Sequence, residues 1–115
     1  IIEADVKIPL SKVNIRLAEA MNKLTPFGIG NPEPLFYSQG ELVDAKIFGK
    51  KNEHLKIYLK EDNTVLEMLY FYQAALFPQL AKNAKVNIIY RIEINEWNGR
   101  KKISLLTKSF LPCPA

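Results

Sequence analysis

With 115 residues, 48% hydrophobic and 24% charged, the chain reads as one ordinary globular domain and is too short for two independent cores. No apolar run approaches the ~18 residues of a bilayer span, and one cysteine with one histidine excludes an internal disulfide and a zinc-type cluster. The net charge of +4 is uneven: residues 1–45 hold four basic and six acidic side chains, residues 46–115 twelve and six, so the second half is the candidate polyanion surface, unless its lysines merely solvate a small β domain.

The opening Ile1-Ile2-Glu3-Ala4-Asp5 reads as neither a signal peptide nor a translation start. The chain is therefore expected to be part of a longer protein, and its cysteine usage makes the cytoplasm the expected compartment. Ile2, Ala4, Val6 and Ile8 share one parity and Glu3, Asp5 and Lys7 the other, a short strand with one wet face. Pro9-Leu10-Ser11 opens a helix that Ser11 can cap, although Asn14 rather than Glu or Gln stands at the capping-box position. Val13, Leu17, Met21 and Leu24 recur at helical spacing with Ala20 beside them, so one face is expected to be buried. Pro26 ends the helix by pushing Thr25 out of the α region.

Pro26-Phe27-Gly28-Ile29-Gly30-Asn31-Pro32-Glu33-Pro34 excludes both helix and ladder strand, because proline removes donors and glycine admits positive φ. It is expected to be a stiff, shaped connector pinned by Phe27 and Ile29, and the boundary between helix and barrel falls in it. From Leu35 the chain reads as strands. Residues 42–48 alternate, 49–53 turn, 54–60 alternate with Leu55, Ile57 and Leu59 inward, 61–63 turn, and 64–71 form a third strand. Residues 73–82 favour one short or broken helix interrupted by Pro78. Residues 86–94 form a fourth strand, Asn98-Gly99 is a hairpin signal, and 102–108 form the fifth. Three strands, a short helix and two strands is the element order of an OB barrel. A small SH3-like barrel would not need the helix. The predicted fold is thus mainly β with helices: a five-stranded OB-type β-barrel preceded by a strand and a connecting helix.

Hydrolytic chemistry is missing from the pattern. No HExxH, GxSxG, P-loop or paired Cys/His spacing is present, and the acids are scattered, whereas metal-dependent phosphodiester cleavage needs converging carboxylates and histidines. Glu61 and Asp62 read as solvated turn residues, and His54 as facing solvent or DNA. No catalytic residue and no metal ligand is assigned, and the chain alone is not expected to be an enzyme.

Binding chemistry is better supplied. The inward parity of 54–60 leaves His54, Lys56, Tyr58 and Lys60 on the outer face. With Val43, Ala45 and Ile47 inward, Lys46 and Phe48 stand outward beside them. This is the face on which OB barrels receive single strands: lysines neutralise phosphates and rings stack on bases. The bland readings are that Phe48 packs under the connector and Tyr58 covers the barrel. At the hairpin, Trp97 with Arg100, Lys101 and Lys102 supplies a ring and three consecutive charges for a phosphate grip, or else a charged tip that discourages aggregation.

The run Leu24-Thr25-Pro26-Phe27-Gly28-Ile29-Gly30-Asn31-Pro32-Glu33-Pro34-Leu35-Phe36 resembles the RecJ exonuclease family where its DHHA1 domain passes into its OB domain. His54-Leu55-Lys56 and Asn95-Glu96-Trp97-Asn98-Gly99 resemble that family's second barrel strand and its last hairpin. The resemblance implies residues 1–34 as the tail of an upstream domain with connecting helix and connector, 35–111 as the OB domain and 112–115 as a tail. It implies a single-strand-specific 5′-to-3′ exonuclease of DNA repair and recombination as the parent, using Mn2+ or Mg2+ held by a DHH motif that is absent here. The implied partners are single-stranded DNA, the upstream nuclease domains and other DNA-repair proteins, with no membrane. A protein-interaction barrel bracing the nuclease core, with minor DNA contacts, is the alternative. An RNA-binding OB domain is a third reading, disfavoured by the connector.

Overall fold

The computed structural model describes residues 4–24 and 33–113, the side chains of residues 22–24 excepted. Most of the Pro/Gly-rich connector, including Phe27, Gly28, Ile29 and Gly30, lies outside the described residues, as does the side chain of Leu24. Strand β1 (Val6–Lys7) leads through a 3-10 turn at Leu10–Lys12 to helix α1 (Ile15–Leu24). The barrel strands follow: β2 (Phe36–Phe48), β3 (His54–Glu61), β4 (Thr64–Tyr70), a 3-10 helix at Ala74–Gln79, then β5 (Lys85–Trp97) and β6 (Arg100–Pro112).

The expected order of three strands, short helix and two strands is the observed one, and the sheet closes as β2-β3-β4-β6-β5 back to β2, with β1 added in parallel outside β2. Closure depends on the length of β2. Its first half pairs with β5, Phe36 opposite Tyr90 through Glu41 opposite Lys85, and its second half pairs with β3. Such a strand must bend where it changes partners. Gly40 sits at that bend, where a Cβ would press on Leu10, Leu59 and the Lys60 carbonyl at 3.2–3.3 Å. A bulge between Leu42 and Asp44 follows and resets the parity. Leu42, not Val43, therefore fills the core, while Ala45 packs against it as expected. Ile47 shares that parity but is 41% exposed.

The core joins Leu55, Ile57 and Leu59 of β3, all inward as the alternation requires, to Met68, Val86, Ile88, Tyr90 and Leu105. Fully burying each aliphatic side chain of this kind contributes about 1.5–3 kcal/mol. Leu10 and Val13 complete one end of it. The buried Ser38 Oγ donates to the Ile8 carbonyl at 2.6 Å. Its single proton is then used, so Tyr90 OH donates to Ser38 Oγ at 2.7 Å.

Four local expectations change. Asn14, not Ser11, caps α1: its Oδ1 accepts the Leu17 N–H at 2.9 Å, because Leu10–Lys12 is spent on a separate 3-10 turn. With the helix starting later, Ala18 is buried and Ala20 exposed. Glu61 is more than a solvated turn residue, since its carboxylate accepts the Leu10 N–H at 2.8 Å. Strands β5 and β6 also run well past the ends expected from alternation, forming a hairpin that projects beyond the barrel. Among the described residues no helix is long and apolar enough to cross a membrane.

Candidate nucleic-acid interface

The outer face of β2, β3 and β4 carries the first group of predicted residues. Cross-strand register places Lys46 opposite Lys56, Phe48 opposite His54 and Asp44 opposite Tyr58, and on the other side Tyr58 opposite Glu67. Lys56 Nζ lies 5.1 Å from the Phe48 ring centroid and Lys46 Nζ 5.7 Å from that of Tyr58, within cation–π range. Tyr58 OH donates to Glu67 Oε2 at 3.1 Å, and Lys56 Nζ stands 4.0 Å from the same oxygen. Desolvation first, then the Glu67 hydrogen bond and the negative charges of Glu67 and Asp44, raise the Tyr58 phenol above its ordinary pKa. The face thus mixes two lysines with two carboxylates. Alternation along β3 alone could not reveal this, because both carboxylates come from neighbouring strands.

Two further β3 residues share that parity but have other neighbours. Lys60 lines a separate concavity of about 460 Å³ with Glu41, Asp62 and Lys85. His54, expected to face solvent or DNA, has a side chain only 16% exposed, with Nε2 3.1 Å from Glu53. Its Nδ1 accepts the Tyr72 N–H at 3.0 Å, which assigns the neutral tautomer with the proton on Nε2. Phe48, Phe71 and Tyr72 surround the imidazole at 4.6–5.2 Å between centroids. Phe48 therefore belongs to a rim cluster of aromatics. Neither Phe71 nor Tyr72 stands out by strand alternation, and the run Tyr70-Phe71-Tyr72 at the end of a strand is their available sequence signal.

The hairpin divides its charges by strand parity. Asn98 and Gly99 turn with φ of 50° and 76°, both positive as a type I′ hairpin requires, and Trp97 pairs with Arg100. Trp97, Arg100 and Lys102 share the outward parity, with Trp97 78% exposed. Lys101 takes the opposite parity, toward α1, where its Nζ meets Glu19 Oε2 at 3.2 Å. The three consecutive charges are therefore two plus one. A groove of about 210 Å³ between β4 and β6, lined by Glu67, Leu69, Lys102 and Ser104 among others, connects the β3 face to the hairpin.

Among the described residues no three His, Cys, Asp or Glu side chains converge as a metal site would require. The donor set does not fit the Mn2+ or Mg2+ implied by the family resemblance, and no metal-dependent step is assigned to these residues.

A closed five-stranded barrel with a helix between its third and fourth strands defines an OB fold. The family model described as the RecJ OB domain matches residues 4–109, and the chain belongs to that family. It is 28% identical over 107 residues to the single-stranded-DNA-specific exonuclease RecJ of Bacillus subtilis, covering 92% of this chain but 14% of that protein. The chain thus spans about a seventh of that relative's length. The crystal structure of Thermus thermophilus RecJ in complex with Mn2+ superimposes with a TM-score of 0.63 at 26% identity, over 87% of this chain and 14% of that one. A mitochondrial single-stranded DNA binding protein of S. cerevisiae shares the fold alone, with a TM-score of 0.59 at 15% identity over 70% of this chain and 95% of its own.

Proposed function

We propose that this chain is the single-stranded-DNA-binding module of a RecJ-type 5′-to-3′ exonuclease acting in cytoplasmic DNA repair and recombination. Residues 35–111 form the binding barrel, and residues 1–34 join it to upstream nuclease domains that supply the Mn2+- or Mg2+-dependent cleavage. The observation that carries this reading is the hairpin, where an exposed Trp97 stands opposite Arg100 and on the same face as Lys102. That combination grips phosphates through charge and any base through its π face, without reading sequence. Lys46, Lys56 and Tyr58 extend the track across the barrel through the β4–β6 groove. The family's RecJ exonucleases and the single-strand-binding fold neighbour support the same ligand.

Titration of fluorescent single-stranded and duplex DNA at two salt concentrations tests the proposal. Preference for the single strand, with affinity falling steeply as salt rises, is the expected result. The bracing alternative has one observation in its favour: α1 docks on β5 and β6 through the Glu19–Lys101 pair. It predicts association with nuclease domains that is insensitive to salt, and no single-strand binding by the chain at low salt.

A further inference from the structure

We infer that Tyr72 is a base-stacking ring for single-stranded DNA, held out on the barrel rim by His54; this deepens and rests on the single-strand-binding reading. Tyr72 follows β4 with a backbone φ of +62°, a left-handed conformation that disfavours a bulky side chain and that glycine or asparagine would adopt more readily. The residue is nonetheless 78% exposed, so burial does not explain why tyrosine occupies the position. The conformation is fastened from below. His54 Nδ1 accepts the Tyr72 N–H at 3.0 Å, the two rings meet edge to face at 4.6 Å and 75°, and Glu53 holds the far side of the imidazole at 3.1 Å. A strained residue fixed by its surroundings with its ring in solvent is the arrangement expected of a contact residue.

The surroundings select a nucleic acid as the occupant. Phe71, 42% exposed, adjoins Tyr72 and touches Phe48, whose face carries Lys56 Nζ at 5.1 Å. The Ala74 N–H bonds the Glu53 carbonyl at 3.2 Å, which ties this segment to the loop bearing the exposed Lys50 and Lys51. An exposed aromatic on a rim whose adjoining loop carries Lys50 and Lys51, and whose Phe48 ring carries Lys56, complements a strand with bases on one side and phosphates on the other. Tyr72 thus marks one end of a track whose other end is Trp97.

Fluorescence anisotropy with a labelled oligothymidylate tests the assignment. Tyr72→Gly removes the ring while relieving the backbone strain, so its melting temperature should equal or exceed that of the parent. Its affinity should fall about 5- to 150-fold, the effect of one stacked base, with the salt slope unchanged. Tyr72→Phe should bind as the parent does. His54→Phe keeps the aromatic packing but loses the Nδ1 acceptor. It should weaken binding in the parent and add nothing in the Tyr72→Gly background, a non-additivity that a purely structural histidine would not produce. Parental affinity in Tyr72→Gly overturns the inference, and if Trp97→Ala still weakens binding, the single-strand reading survives without it. No binding by the parent at low salt overturns both and gives the aromatic rim to a protein partner.

Discussion

Replacing Arg100, Lys101 and Lys102 singly by alanine separates a shared charge run into two jobs. Register puts Arg100 and Lys102 on the Trp97 face of the hairpin and Lys101 on the α1 face, 3.2 Å from Glu19. Each phosphate neutralised on a single strand contributes about 0.7 to the slope of log affinity against log salt. Between 50 and 200 mM salt, one such contact therefore accounts for roughly a 2.6-fold loss of affinity. Arg100→Ala and Lys102→Ala should each flatten the dependence by that factor without changing stability. Lys101→Ala should leave the slope intact. It should cost at most about 1 kcal/mol of stability, because its ion pair is half exposed and screened. Anisotropy titrations across a salt series, with thermal melts of each variant, read both quantities. A Lys101→Ala slope that drops as far as that of Lys102→Ala would show that Lys101 leaves Glu19 for phosphate, and would refute the parity argument.

Tyr90 links the core to alkaline stability. Burial first, and the negative charge of Glu61, push its phenol up to about 12, against an opposing hydrogen bond from Ser38, which Ser38 can offer a phenolate only by releasing Ile8. Because the folded pKa lies above the unfolded one, the contribution is complete below pH ~10 and is lost as pH rises toward ~12, about 3 kcal/mol in all. Tyr90→Phe should be about 1 kcal/mol less stable at neutral pH, through the lost Ser38 bond, and should lack this alkaline decline in chemical denaturation. Gly49→Ala should destabilise the chain by about 1–3 kcal/mol, since φ is +103° there and a Cβ would collide with the Glu53 carboxylate and the His54 ring; an unchanged melting temperature would disprove the tight seating of that loop. Asn14→Ala should cost about 1 kcal/mol, whereas Ser11→Ala should be nearly silent, and the reverse order in paired melts would restore Ser11 as the cap.

The sequence by itself determined the barrel. The period-two runs, the alternation that buries Leu55, Ile57 and Leu59, the Asn98-Gly99 turn and the short Pro78-containing helix are local signals, and local sterics and solvation are sufficient to produce them. It also placed Trp97 and Arg100 correctly at the hairpin, because a two-residue turn fixes its neighbours. Tertiary structure decided everything that depends on which strand lies beside which. Asp44 and Glu67 flank Tyr58 only because β2 and β4 pair with β3 in that register. The bulge at Leu42/Asp44 exchanged Val43 for Leu42 in the core, and a helix 82 residues away in sequence took Lys101 out of the basic run. The surroundings of His54 arise for the same reason: Phe71 and Tyr72, just past the end of β4, pack against it because β4 pairs with β3. Pairing partners distant in the chain carry no periodic signature, so the composition of a surface emerges only when the sheet closes.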